Sequence, residues 1–191
     1  MEALIVSAGV VALAEIGDKT MLLALVLAAR FRAPALVIAG ILVATLANHG
    51  LAALVGVSAA ELLDGAWLRW IVGLSFLAMA GWTLIPDKAD DLNVEPRRRF
   101  GPFLATTAAF FLVEIGDKTQ LATVVLAARF DSILIVTIGT TAGMLAVNAP
   151  TVLLGGALSE RLPLGAIRAA AAAIFAVLGI LTLAAPETIG A

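Results

Sequence analysis

Two copies of one hexapeptide carry most of the chemistry open to this chain. Glu15-Ile16-Gly17-Asp18-Lys19-Thr20 recurs as Glu114-Ile115-Gly116-Asp117-Lys118-Thr119. Each copy holds two carboxylates, an ammonium and a hydroxyl, and each lies well inside a long apolar run. A charge at the bilayer centre costs about 2.5–3.5 kcal/mol on insertion scales, so six of them unpaired would cost roughly 15–20 kcal/mol. Such a penalty, met twice at equivalent depth, calls for a function. Taken as ionised, the two motifs hold four acids and two bases, a sum of −2. That sum becomes tolerable in a low dielectric when one divalent cation or two protons fill the site. The carboxylates Glu15, Asp18, Glu114 and Asp117 are therefore the candidate ion ligands.

The neighbouring residue types narrow the ion. Carboxylates with carbonyl, amide or hydroxyl oxygens suit Ca²⁺, Mn²⁺ or Mg²⁺, whereas zinc and copper prefer thiolate and imidazole. The chain has no cysteine, and its one histidine, His49, aligns with Asn148, so imidazole is not part of the repeated pattern. Asn48, His49 and Asn148 lie mid-span, where they can supply ligand atoms or hydrogen bonds between helices. Lys19, Thr20, Lys118, Thr119 and Gln120 are the other candidate supporting residues. No cofactor is implied, only a transported ion.

If each motif sits in a continuous helix, its side chains project at about 100° per residue. Asp18 then lies about 60° to one side of Glu15 and Lys19 about 40° to the other, so Glu and Asp share a face. Local unwinding at Gly17 would instead free carbonyl oxygens for a ligand. A purely structural reading makes Glu15–Lys19 and Glu114–Lys118 ion pairs four residues apart within a helix. It leaves Asp18 and Asp117 unexplained.

The elements that must position these groups follow from composition. Of 191 residues 62% are hydrophobic and only 14% charged. Soluble domains are about 45–50% apolar and about 25% charged. This chain cannot furnish a soluble domain's polar coat, nor the basic face of a nucleic-acid binder. Apolar runs cover Ala3–Ala29, Pro34–Val57, Trp67–Ile85, Pro102–Ala128, Ile133–Gly156 and Ala166–Ala185. Each reaches the roughly 20 residues a helix needs to cross a bilayer, without the alternation of a membrane β-strand. The first run has no basic segment before it and is too long for a cleavable signal peptide. The expected fold is an all-α integral membrane protein with six transmembrane helices.

The chain is also written twice. Glu15–Phe31 matches Glu114–Phe130 at 13 of 17 positions, and the same offset pairs Gly40 with Gly139, Glu61 with Glu160 and Arg69 with Arg168. Two three-helix repeats are expected, residues 1–85 and 102–191, joined by a linker at 86–101. An odd number of spans per repeat inverts the second copy, as in many secondary transporters, with the site where the repeats meet near the midplane. The linker's acids (Asp87, Asp90, Asp91, Glu95) and bases (Lys88, Arg97, Arg98, Arg99) cancel, as in a solvated loop. Glu61, Glu160, Arg69 and Arg168 sit at span ends, as interfacial residues do. Orientation follows from Lys and Arg near span ends. Arg30, Arg32, Lys88, Arg97, Arg98, Arg99, Arg161 and Arg168 lie on one side, against Arg69 and Arg129 on the other. That places the linker in the cytoplasm and both termini outside, in a multi-pass protein of the cell's inner membrane.

At these motifs the sequence resembles the membrane family with two Glu-x-Gly-Asp-Lys/Arg-Ser/Thr motifs, which includes Golgi-type Ca²⁺/Mn²⁺:H⁺ antiporters of eukaryotes and manganese exporters of bacteria. The resemblance covers nearly the whole chain. It implies export of a divalent cation, Mn²⁺ or Ca²⁺, from the cytosol, with Glu15, Asp18, Glu114 and Asp117 as the ion-binding carboxylates. Met21 and Gln120, which follow the two motifs, differ, against a symmetric role for that position.

Two rival classes meet some of these features. Intramembrane aspartyl proteases use two aspartates that share a proton, but a lysine beside each aspartate here favours two ionised carboxylates. Exporters of small cationic metabolites such as amino acids also use inverted three-helix repeats, yet four carboxylates suit a point ion better. The charge sum further implies exchange: a carrier neutral with one dication or with two protons can cross in either form, and metal binding should release protons. The two motifs are expected to face each other, with their four carboxylates within coordination reach.

Overall fold

The computed structural model describes residues 1–63, 65–86, 101–155 and 163–184. The charged linker residues Asp87 to Arg99, together with Glu160 and Arg161, lie outside the described residues. Among the described residues every element is an α-helix: α1 Glu2–Glu15, α2 Lys19–Phe31, α3 Pro34–Leu62, α4 Gly65–Thr83, α5 Gly101–Glu114, α6 Lys118–Phe130, α7 Ile133–Leu154 and α8 Leu164–Ala184. The last four begin 99 positions after the first four (2 to 101, 19 to 118, 34 to 133, 65 to 164).

Three helices, α3, α7 and α8, are long and apolar enough to cross a membrane by themselves. The first and fourth apolar runs differ from expectation, because each is two helices. α1 and α5 have 14 residues each, a rise of about 21 Å, short of the roughly 30 Å hydrocarbon core. Both stop at the motif glutamate, and α2 and α6 start at the motif lysine. The physical reason lies in the motif. Gly17 and Gly116 adopt φ of +81° and +77°, a region where a Cβ would strain the chain. Asp18 and Asp117 follow in extended conformation as N-cap residues of α2 and α6. Both breaks are closed by one turn, the Asp18 and Asp117 amides donating to the Glu15 and Glu114 carbonyls at 3.1 and 3.0 Å. The projection onto one continuous helix does not carry across this turn.

The other boundaries repeat as well. Arg32 and Asp131 end α2 and α6 in the left-handed region at φ 50° and 48°. Pro34 opens α3 in the first turn, where its missing N–H costs no hydrogen bond. Ser132 caps α7, accepting the Ile135 amide at 3.4 Å.

Packing is reciprocal between the halves. α3 lies against α5 and α6, α7 against α1 and α2, and α4 against α8. A Cβ on Gly40 would stand 2.8 Å from the Phe103 carbonyl and from Thr106, and one on Gly139 would stand 2.8 Å from the Leu4 carbonyl and 2.9 Å from Ser7. These pairs share the 99-residue offset, so small residues bring the backbones together at two equivalent crossings. Phe76 and Phe175, also counterparts, meet across α4 and α8 with ring centroids 6.3 Å apart. One apolar cluster joins Val10, Ala53, Phe76, Leu126 and Phe175. A second joins Val11, Leu27, Ile41, Phe110 and Met144.

Candidate metal centre

The two breaks place four helix ends around one polar cluster. α1 and α5 arrive with their C-termini, whose last carbonyls lack helical partners, and α2 and α6 leave with their N-termini. Helix C-termini carry partial negative charge and N-termini partial positive charge. The carbonyl ends therefore favour a cation, while Asp18 and Asp117 sit against the positive ends of α2 and α6. Neither aspartate side chain makes a capping hydrogen bond to the helix it opens.

Glu15, Asp18, Glu114, Asp117, Lys118, Thr20, Thr119, Asn48, His49 and Asn148 are all buried, and Lys19 is partly so. The ion pairs run between the motifs. Lys19 Nζ lies 2.9 Å from Asp117 Oδ1, and Lys118 Nζ lies 3.7 Å from Asp18 Oδ1. Lys118 also donates to the Ile85 carbonyl at 3.1 Å, just past the end of α4. Each motif thus supplies the cation that faces the other motif's aspartate, and the two motifs meet.

The glutamates point to the long helices. Glu15 Oε1 accepts from Thr20 Oγ1 and, at 2.9 Å, from Asn148 Nδ2 on α7. Glu114 Oε1 accepts from Thr119 Oγ1 at 2.6 Å and faces His49 Nε2 on α3 at 3.3 Å. Thr119 Oγ1 is also 3.3 Å from Asp117 Oδ2. His49 and Asn148 occupy equivalent places, each reaching from the long helix of one half to the glutamate of the other. Asn48 has a different part: its amide donates at 3.0 Å to the Phe111 carbonyl, one of the orphan acceptors at the end of α5. Gln120 accepts the Gly116 amide at 2.7 Å and holds the second break, an action Met21 cannot copy at the first.

The convergence stops short of a closed cage. Among the described residues no three carboxylates or imidazoles cluster closely enough to hold a metal ion, and ammonium groups face the aspartates instead. The donor set is otherwise suited to a hard dication, with carboxylate, hydroxyl and amide oxygens gathered around the two helix breaks. Sequence reasoning raised unwinding at Gly17 only as an alternative to a continuous helix, and missed the crossed pairs. Gly followed by Asp, a helix stop and then an N-cap, was the available signal.

Comparison with known proteins shows what the chain is similar to. The family model described as divalent cation/proton antiporter GDT1 matches residues 3–91 and 102–188. A protein of Vibrio cholerae serotype O1 named "Putative manganese exporter" is 50% identical over 183 residues, 95% of this chain and 90% of its own length. "GDT1-like protein 5" of Arabidopsis thaliana is 28% identical over 211 aligned positions, covering 91% of this chain and 92% of its own. No solved structure matches.

Proposed function

The chain belongs to the divalent cation/proton antiporter GDT1 family, and on that premise we propose that it exports Mn²⁺ or Ca²⁺ from the cytoplasm in exchange for protons. The half-identical relative named for manganese export, which spans nearly all of this chain, supports Mn²⁺ as the ion. Glu15, Asp18, Glu114 and Asp117 are the proposed ligands. The single observation that carries the site is the crossed pairing, Lys19 with Asp117 and Lys118 with Asp18.

Its chemistry follows from charge. Four carboxylates and two ammonium groups sum to −2, and the two lysines already stand where cationic charge is wanted. A dication arriving between the motifs takes over their partners, the ammonium groups withdraw, and the carboxylates close on the metal. Two protons neutralise the same sum, so metal and protons alternate as fillings and a proton gradient drives metal outward. A protease pair, by contrast, needs two aspartates sharing one proton; here each aspartate faces an ammonium. In the membrane, α1 with α2 and α5 with α6 form two broken spans beside α3, α4, α7 and α8. That makes six crossings in two inverted repeats, with the linker cytoplasmic and both termini outside, across the cell's inner membrane. Broken spans are tolerated where neighbouring helices bury them.

Ion flux in proteoliposomes tests the reading, with Mn²⁺, Ca²⁺ and Mg²⁺ in turn, with and without a pH gradient. The expected result is Mn²⁺ or Ca²⁺ flux that an imposed gradient accelerates, with proton release on metal binding in weak buffer. Flux indifferent to the gradient refutes proton exchange. Displacement of bound metal by a cationic amino acid would move the substrate to that class.

A further inference from the structure

The two glutamate arms share a threonine and differ in the side chain that the long helix brings to each glutamate. Thr20 on Glu15 and Thr119 on Glu114 are counterparts, and so are Asn148 and His49. The Glu15 arm offers a carboxylate, a hydroxyl and, with the amide turned about, the Asn148 carbonyl oxygen; the Met144 thioether stands beside that amide, 2.9 Å from Asn148 Nδ2. That oxygen is buried without a hydrogen-bond partner among the described residues. The Glu114 arm contains a nitrogen instead. Building on the proposed carboxylate site, we propose that His49 is a ligand to the transported ion and the residue that favours Mn²⁺ over Ca²⁺.

Three observations support it. His49 is fully buried, and Nδ1 has no hydrogen-bond partner among the described residues; a buried polar atom of that kind needs an explanation. Glu114 Oε2, on the carboxylate His49 faces, is likewise without a partner among them. The spacing also fits. Metal–ligand bonds of about 2.1–2.6 Å put adjacent ligands of an octahedral ion about 3.0–3.7 Å apart. His49 Nε2 and Glu114 Oε1 are 3.3 Å apart. The imidazole holds a proton toward Glu114 only while that carboxylate is its partner. A cation on Glu114 removes that preference, and the proton can rest on Nδ1 with the Nε2 lone pair on the ion.

A nitrogen donor discriminates where oxygens do not. Calcium takes oxygen ligands; Mn²⁺ is also suited to carboxylate and carbonyl oxygens, but as a first-row transition metal it accepts a nitrogen donor more readily than calcium does. Asn148 opposite admits either ion, so selection rests on the His49 arm. Loss of an outer partner of a metal ligand typically costs 10–100-fold in affinity. Loss of the donor itself in His49→Asn should lower the Mn²⁺-to-Ca²⁺ ratio by at least about tenfold.

Because His49 is the only histidine in the chain, the test needs no variant. Pulsed electron paramagnetic resonance of Mn²⁺ bound to the untagged full-length protein should reveal coupling to imidazole nitrogen. Its presence supports the proposal; bound Mn²⁺ without it overturns the proposal. In proteoliposomes, His49→Asn should lower Mn²⁺ flux relative to Ca²⁺ flux, and an unchanged ratio is a refutation. Glu114→Gln separates the two levels. If it binds Mn²⁺ as tightly as the parent, the carboxylate site itself is wrong. If it binds weakly while the parent lacks nitrogen coupling, only the role of His49 falls.

Discussion

The first and second breaks share a backbone and differ in what surrounds it. At the first, a Cβ on Gly17 would meet Leu164 Cδ2 at 3.0 Å, so the start of α8 covers the turn with an apolar side chain. At the second, a Cβ on Gly116 would meet no described atom within 4 Å, and polar side chains do the holding: Gln120 on the Gly116 amide and Asn48 on the Phe111 carbonyl. The glutamates diverge in the same way, one beside an amide and the other beside an imidazole. Duplication supplied the turn and the charges twice, and the residues outside the motif then made one half covered and the other open.

The largest expected effect tests what the halves have in common. Asp18→Asn and Asp117→Asn each keep shape but remove a charge that faces an ammonium. Breaking a buried pair costs about 3–5 kcal/mol, which is a hundredfold or more. Mn²⁺ or Ca²⁺ flux should be abolished equally in both, while Glu15→Asp and Glu114→Asp keep charge and should be milder. An Asn variant that retains flux would show that its half is not part of the site.

Next in size is the crossing of the pairs. In double-mutant cycles read by thermal unfolding of the purified protein, Lys19→Gln should be less harmful when Asp117 is already Asn. Coupling between touching residues spans about 0.5–3 kcal/mol. Partial exposure of Lys19 screens its pair, so the lower half of that span is expected. Coupling of Lys19 to Asp18 that exceeds its coupling to Asp117 would replace the crossed scheme with a local one.

Glycine replacement separates the two turns. Alanine at either positive-φ position should cost roughly 1–2 kcal/mol in backbone strain. Gly17→Ala must in addition move Leu164, so it should lower the unfolding temperature more than Gly116→Ala does. The reverse order would mean that the covered and open halves have been misassigned.

The smallest effect concerns the position after each motif. Gln120→Met removes the cap on the Gly116 amide, worth about 1 kcal/mol, whereas Met21→Gln should change stability little. Equal losses in both would argue that the two breaks are held in the same way.

The charges, their depth, the all-helical composition and the duplication are local properties, and the sequence alone determined them. So was the correspondence of His49 with Asn148, because a fixed offset needs no coordinates. The breaks were half legible: Gly17-Asp18 reads as a stop followed by an N-cap, but it sits in an unbroken apolar run, and the run read as one helix. Pairing was beyond reach. A duplicated sequence looks the same whether Lys19 turns to its own motif or to Asp117, and whether Asn148 serves Glu114 or Glu15. Only packing decides, because α7 lies on α1 and α3 on α5, and that reciprocal docking brings each half's donors to the other half's acids.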